Sequence, residues 1–207
     1  MAELRRHLVV MARAPRLGRV KRRLARDIGE VEALRFYRAH TAGLLRDLGR
    51  DPRWRTWLAV TPDGAADDGR GLWGFTGPVI AQGGGDLGAR MFRLFATLPP
   101  GPVVLIGSDI PGISRAGVFE AFRRLGQSDW VFGPAEDGGF WLVGARRRPL
   151  PRDPFRAVRW STPQALEDTL ANLPGAAVGF VERLGDVDSG ADFQRLYAAA
   201  SAGRTGR

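Results

Sequence analysis

Two residues stand out chemically against their surroundings, Asp109 and Lys21. Asp109 follows the apolar run Val103-Val-Leu-Ile-Gly-Ser and precedes Ile110-Pro-Gly112. A carboxylate at the C-terminal end of a buried strand suits a hard divalent cation, Mg2+ or Mn2+, with open positions left for phosphate oxygens. The plainer role for Asp109 is to cap the helix that begins after Ser114. The chain has 31 basic residues, and Lys21 is the only lysine among them. Such a lysine is either a leftover or sits where a compact ammonium is required and a planar guanidinium does not fit. It belongs to Arg13-Ala-Pro-Arg-Leu-Gly-Arg-Val-Lys-Arg-Arg-Leu24, and seven cations fall between Arg13 and Arg26. Gly18 lets the main chain approach whatever they surround. Cations beside the exposed amides of a helix start make a phosphate site; a solvated basic helix face is the competing reading.

Three further loops carry polar chemistry. In Gln82-Gly-Gly-Gly-Asp-Leu-Gly88, three consecutive glycines cost more backbone entropy than a plain turn requires, which points to close approach by a ligand. Asp86 is placed to cap the helix starting at Leu87. Glu136-Asp-Gly-Gly139 read alone is a hairpin turn. In Gly185-Asp-Val-Asp-Ser189, Asp188 is either a second metal ligand or the cap of the last helix. The chain has neither a Walker A segment nor a complete dinucleotide fingerprint. Six arginines crowd the proline-containing stretch from Arg146 to Arg159, which reads as a loop or lid.

The elements that must position these loops alternate along the chain. Strands are expected at His7–Arg13, Thr56–Val60, Val79–Gln82, Val103–Gly107, Trp130–Gly133, Phe140–Gly144 and Ala177–Val181. Helices are expected at Val20–Arg26, Val31–Leu48, Leu87–Leu98, Arg115–Leu125, Pro163–Leu173 and Ala191–Ala200. This rhythm specifies an α/β three-layer sandwich around a mostly parallel, mixed sheet. The runs around Phe132 and Leu142 leave no room for a helix between them, so an antiparallel excursion is expected there. In open sheets of this kind ligands bind beyond the carboxyl ends of the strands, where the loops above lie.

Composition narrows the function further. The 207 residues, 44% hydrophobic and 26% charged, fit one domain over residues 1–200 with a flexible tail at 201–207. With no cysteine and only two histidines, thiolate zinc sites, iron–sulfur clusters, Cys nucleophiles and His-rich metal cages are excluded. No apolar run approaches the length of a membrane span, and the expected compartment is the cytoplasm. A net charge of +9 points to anionic partners. Nucleic acid is disfavoured, because the aromatic residues sit in apolar runs and no reader motif occurs.

Taken in order, six segments resemble the nucleotide-diphospho-sugar transferase superfamily, with its glycosyltransferase-A fold, in the glycosyltransferase-like bacterial branch. They are Arg13-Ala-Pro…Gly18-Arg-Val-Lys-Arg-Arg-Leu24, Gln82-Gly…Gly85-Asp-Leu-Gly88…Arg90-Met91, Ile106-Gly-Ser-Asp-Ile-Pro-Gly112, Gly133-Pro-Ala-Glu-Asp-Gly-Gly139, Trp160-Ser-Thr-Pro163 and Asp186-Val-Asp-Ser189. At greater distance the chain is similar to molybdenum-cofactor guanylyltransferase and phospholactate guanylyltransferase. The resemblance implies transfer of a glycosyl or nucleotidyl group from a nucleotide sugar or nucleoside triphosphate to a small acceptor, with Mg2+ or Mn2+. It implies Asp109 and Lys21 as catalytic residues and Asp109 and Asp188 as metal ligands. Ala12, Arg13, Ala14, Pro15, Gly18, Arg19, Lys21, Gln82, Gly83, Gly85 and Asp86 would hold the nucleotide, and Glu136, Asp137, Gly138 and Gly139 would line the acceptor side. Arg22 departs from the pattern, standing where threonine is usual, so a nucleotide-binding protein without catalysis is the alternative.

Overall fold

The continuous apolar run near the N-terminus forms strand β1 (His7–Arg13), which is buried on both faces over most of its length. After it come helices α1 (Arg22–Ile28) and α2 (Glu30–Gly49), β2 (Arg55–Thr61), a 3-10 turn (Asp63–Ala66), α3 (Gly69–Trp73), β3 (Val79–Ala81) and α4 (Leu87–Thr97). The second half contains β4 (Val103–Gly107), α5 (Arg115–Arg124), β5 (Trp130–Pro134), β6 (Phe140–Ala145), α6 (Ala165–Ala171), β7 (Val178–Phe180) and α7 (Gly190–Ala202). This computed structural model describes residues 4–67, 69–147, 149, 152–187 and 189–202. Asp188 and residues 203–207 of the expected tail lie outside the described residues.

The seven strands form one mixed sheet in the order β3-β2-β1-β4-β6-β5-β7. β1 pairs in parallel with β2 on one side and with β4 on the other. β6 runs antiparallel to both β4 and β5, which is the excursion expected around Phe132 and Leu142. Successive side chains of a strand point to opposite faces, so one strand feeds two cores. Leu8, Val10 and Ala12 pack with Leu45 and Leu48 of α2 and with Val118 and Phe122 of α5. Val9 faces the other way, into a core with Met91, Leu94 and Phe95 of α4, together with Trp130 and Phe155. These two cores define the three layers. A third cluster, Leu24, Ala33, Phe36 and Val187, with Phe193 and Leu196 packed on it, ties α1 and α2 to α7. Among the described residues no helix is long and apolar enough to cross a membrane.

Helix starts follow local chemistry. Asp86 accepts from Ala89 N at 2.8 Å and Ser114 from Gly117 N at 3.1 Å, so the cap of α5 is Ser114 and not Asp109. Ser189 and Asp192 exchange main-chain and side-chain bonds in a capping box at α7. The expected helix at Val20 starts later, at Arg22, because Lys21 adopts the left-handed conformation with φ 44°. The expected helix at Pro163 starts at Ala165, and the 3-10 turn and α3 were not anticipated from the periodicity.

Candidate active site

The chain leaves β1 and β4 at the same rim of the sheet, at the point where strand order reverses, and the two loops part to leave a cleft of about 520 Å³. The loop after β1 turns at Gly18, φ 69°, and places Lys21 immediately before α1. The Lys21 Nζ lies 2.7 Å from Asp186 Oδ1 and 3.3 Å from Asp109 Oδ2. Its side chain is only 3% exposed, against 43% for Asp109 and 23% for Asp186. Burying an ammonium without partners is costly, and here two carboxylates from separate loops enclose it.

Asp109 and Asp186 therefore converge on one cation, and both offer hard oxygen donors of the kind that Mg2+ and Mn2+ take. The half-exposed carboxylate of Asp109 at the cleft wall fits such an ion, whereas Asp186 Oδ1 is already engaged by Lys21 Nζ and by Val187 N. Among the described residues no group of three or more Asp, Glu, His or Cys side chains forms, so other positions would fall to phosphate or water oxygens.

Six cations line the cleft: Arg13, Arg19, Lys21, Arg22, Arg23 and Arg90. Asp109 is the one carboxylate lining it among the described residues. The floor and far wall are apolar, made by Met91, Leu105, Phe140, Trp141 and Val143. Gln82 is buried at the edge of the cleft, and its amide nitrogen donates to Ala12 O at 3.1 Å and Ala59 O at 2.9 Å. From α2, the Tyr37 hydroxyl donates to Arg13 O at 2.9 Å, accepts from Arg13 N at 2.9 Å and lies 3.1 Å from Ser108 Oγ. Burial pushes the Tyr37 phenol up, against hydrogen bonds from Ser108 and Arg13 that pull it down. His40, one helical turn on, stacks on Phe36 behind the cleft, and burial holds its imidazole below the ordinary histidine value.

Comparison with known proteins places this geometry. Residues 44–162, more than half of the chain, match the profile of the family described as "Uncharacterized protein conserved in bacteria (DUF2064)". The chain belongs to the DUF2064 family. Its structure is similar to a protein of Desulfovibrio desulfuricans G20 provisionally named a nucleotide-diphospho-sugar transferase, at 29% identity and a TM-score of 0.85, covering 93% of this chain and 86% of that one. The fold is also that of 4-diphosphocytidyl-2C-methyl-D-erythritol synthase from Anaerococcus prevotii (10% identity, 95% and 96% covered, TM-score 0.64). It is likewise that of glucosyl-3-phosphoglycerate synthase from Mycobacterium tuberculosis, solved with Mg2+ and UDP (12% identity, 89% and 71% covered, TM-score 0.55). No curated protein gives a significant match. The nucleotide-diphospho-sugar transferase fold implied by the six segments is thus the fold of this DUF2064 protein.

Apart from Asp188, which lies outside the described residues, the expected site residues divide into three groups in the DUF2064 protein. Ala12, Arg13, Arg19, Lys21, Gln82 and Asp109 line the cleft together. Ala14, Pro15, Gly18, Gly83, Gly85 and Asp86 do not line it. Ala14 N donates to Thr61 O, Gly83 N to Asp63 Oδ1, and Gly85 O accepts from Arg90 Nε, so much of the glycine-rich loop is tied to its own scaffold. Gly18 lines a separate hollow with Arg22, Ala25, Arg26 and Glu30. Glu136, Asp137, Gly138 and Gly139 form the β5–β6 turn outside the cleft, and the residues directly after them, Phe140 and Trp141, line it. Asp186 and Tyr37 were not among the expected site residues. Asp186 was visible as half of an acidic loop, whereas Tyr37 was hidden in the apolar periodicity of α2.

Proposed function

We propose that the protein is a metal-dependent transferase that takes a nucleoside triphosphate or nucleotide sugar and passes a nucleotidyl or glycosyl group to a small acceptor. The observation that carries this reading is the meeting of Lys21 with Asp109 at the wall of a cleft lined by five arginines, with Asp186 closing on the same ammonium from outside the cleft lining. The 29%-identical neighbour's name and the UDP and Mg2+ of glucosyl-3-phosphoglycerate synthase support it.

Asp109 would hold the divalent cation, which would supply charge neutralisation on phosphate oxygens when bound. In nucleotidyl transfer an acceptor oxygen attacks the α-phosphorus and pyrophosphate leaves; in glycosyl transfer it attacks the anomeric carbon and the nucleoside diphosphate leaves. Either way negative charge builds on departing phosphate oxygens. The guanidinium groups of Arg13, Arg19, Arg22, Arg23 and Arg90 and the ammonium of Lys21 line the cleft and would counter it. Leu105, Val143, Phe140 and Trp141 form an apolar wall on the side where we place the acceptor.

The test is a panel of nucleoside triphosphates and nucleotide sugars in thermal denaturation with and without Mn2+. A ligand at 100 times its Kd adds about 2.7 kcal/mol. That should raise the melting temperature by roughly 5–10 °C in a chain of this size. Asp109→Ala should keep the fold, since the carboxylate is half-exposed, and lose the Mn2+-dependent part of the shift. A variant with the full Mn2+-dependent shift overturns the assignment.

A further inference from the structure

The two halves of the cleft hang on different strands. Arg13 ends β1 and leads into the cation loop, while Ser108 follows β4 and carries Asp109 beside it. A phosphate chain gripped by the cations and by an ion on Asp109 touches both halves at once. Their separation must therefore be held within a fraction of an ångström, since a misplacement of about 1 Å can cost on the order of 100-fold in rate. Neither strand fixes that separation beyond its end, because the β1–β4 register runs from His7–Val103 to Met11–Gly107 and stops short of Arg13 and Ser108.

Besides the Lys21–Asp109 ion pair, a side chain from α2 spans the gap. The Tyr37 hydroxyl donates to the carbonyl of Arg13 and accepts from the N–H of the same residue, both at 2.9 Å, and it meets the Ser108 hydroxyl at 3.1 Å. Its helix reinforces the β4 side, with Thr41 Oγ1 donating to Ser108 O at 3.4 Å. Tyr37 is buried, and Thr41 and Ser108 are buried with it, so water is not available to take the place of these bonds. A residue serving only the core would not need a hydroxyl here. Phenylalanine would fill the same space, and the hydroxyl has to be desolvated to reach its three partners.

We propose that Tyr37 is a positioning residue that clamps the cation loop to the Asp109 loop, setting the distance over which a phosphate chain is held at both ends. This rests on the transferase reading above. The clamp acts through Arg13 and Ser108 and touches no reacting atom.

The experiment measures how far Mn2+ tightens nucleotide binding. GTP, CTP and UDP-glucose are titrated calorimetrically into the wild-type chain with and without Mn2+, and the ratio of the two Kd values is the coupling factor. Tyr37→Phe should lower that factor by about fivefold or more, the scale of one or two hydrogen bonds, while the Kd without metal stays within about threefold. Ser108→Ala leaves the hydroxyl on the Arg13 peptide and cuts only the link to the β4 side. It should lower the factor in the same direction, and it carries the test if Tyr37→Phe does not fold. Thr169→Val removes a buried hydroxyl bonded to Ala165 O within α6 and controls for lost stability alone; it should leave the factor unchanged. Wild-type coupling in folded Tyr37→Phe or Ser108→Ala overturns the clamp. A wild-type chain that binds none of the probes overturns the transferase reading, and the clamp falls with it.

Discussion

At the scale of single residues, Lys21 ties the loop after β1 to the loops that carry Asp109 and Asp186. Its left-handed backbone costs on the order of 1 kcal/mol for a residue with a Cβ, and the two carboxylates at 2.7 and 3.3 Å offset that cost. Lys21→Met should leave Asp109 and Asp186 facing each other without the ammonium. Allowing for the solvent that reaches both acids, the loss is about 1–2 kcal/mol, read as a lower denaturation midpoint. Lys21→Arg keeps the charge but brings a broad planar head into a space where the lysine side chain is 3% exposed. It should not restore nucleotide-dependent stabilisation, and a variant that matches wild type would make the lone lysine a compositional remnant. Lys21 and Asp109 were legible because each contrasts with its neighbours, one lysine among arginines and one acid after an apolar strand. Asp186 was half-legible, since nothing in the spacing says which acid of the loop reaches the lysine. Tyr37 was not, because a tyrosine at helical spacing among leucines has the signature of a core residue, and only tertiary contact shows what its hydroxyl does.

At the scale of elements, the alternation of apolar strands and amphipathic helices located all seven strands, since buried parallel strands read as unbroken apolar runs. Boundaries shifted where loop geometry overrides propensity, as at Lys21. The short α3 and the 3-10 turn escaped because pieces of five and four residues are too brief to show a period. The glycines of the β5–β6 turn illustrate a different ambiguity. Gly138 has φ 85°, and a Cβ there would stand 2.1 Å from Pro163 O, while Leu166 N donates to Gly138 O. The turn is thus docked on the segment that starts α6, and this docking explains the glycine without a ligand. Gly138→Ala should cost about 1–3 kcal/mol through left-handed strain and backbone overlap. At roughly 2–4 °C per kcal/mol, calorimetry would register it clearly. If the melting temperature holds while nucleotide-dependent turnover falls, Gly138 serves the acceptor side directly.

At the scale of the whole molecule, the proposed site lies at one rim of the sheet, and the opposite end offers a probe of folding apart from it. His7 begins β1 at that end, and its two nitrogens have different partners. Trp57 Nε1 donates to His7 Nδ1 at 3.1 Å, and His7 Nε2 lies 3.4 Å from Pro100 O, which assigns the proton of the neutral ring to Nε2. Protonating Nδ1 would set two donors against each other. Burial lowers the His7 pKa, the hydrogen bond to Pro100 opposes it, and Arg147, Arg55 and Arg5 add to the lowering. An unfolded histidine titrates near 6.5. Below that pH the unfolded chain takes up a proton that the folded chain refuses, so stability is full above about 6.5 and falls as the solution is acidified. His40, also lowered by burial, bends the curve the same way. His7→Asn keeps an acceptor for the Trp57 indole near the position of Nδ1 and cannot titrate. Urea unfolding between about pH 5 and 7 should therefore show a shallower acid limb for His7→Asn than for wild type, with the two curves closest near pH 7. Identical slopes would assign the acid sensitivity to His40 and the carboxylates, and would mean that the Trp57 bond survives protonation by a shift of the His7 ring.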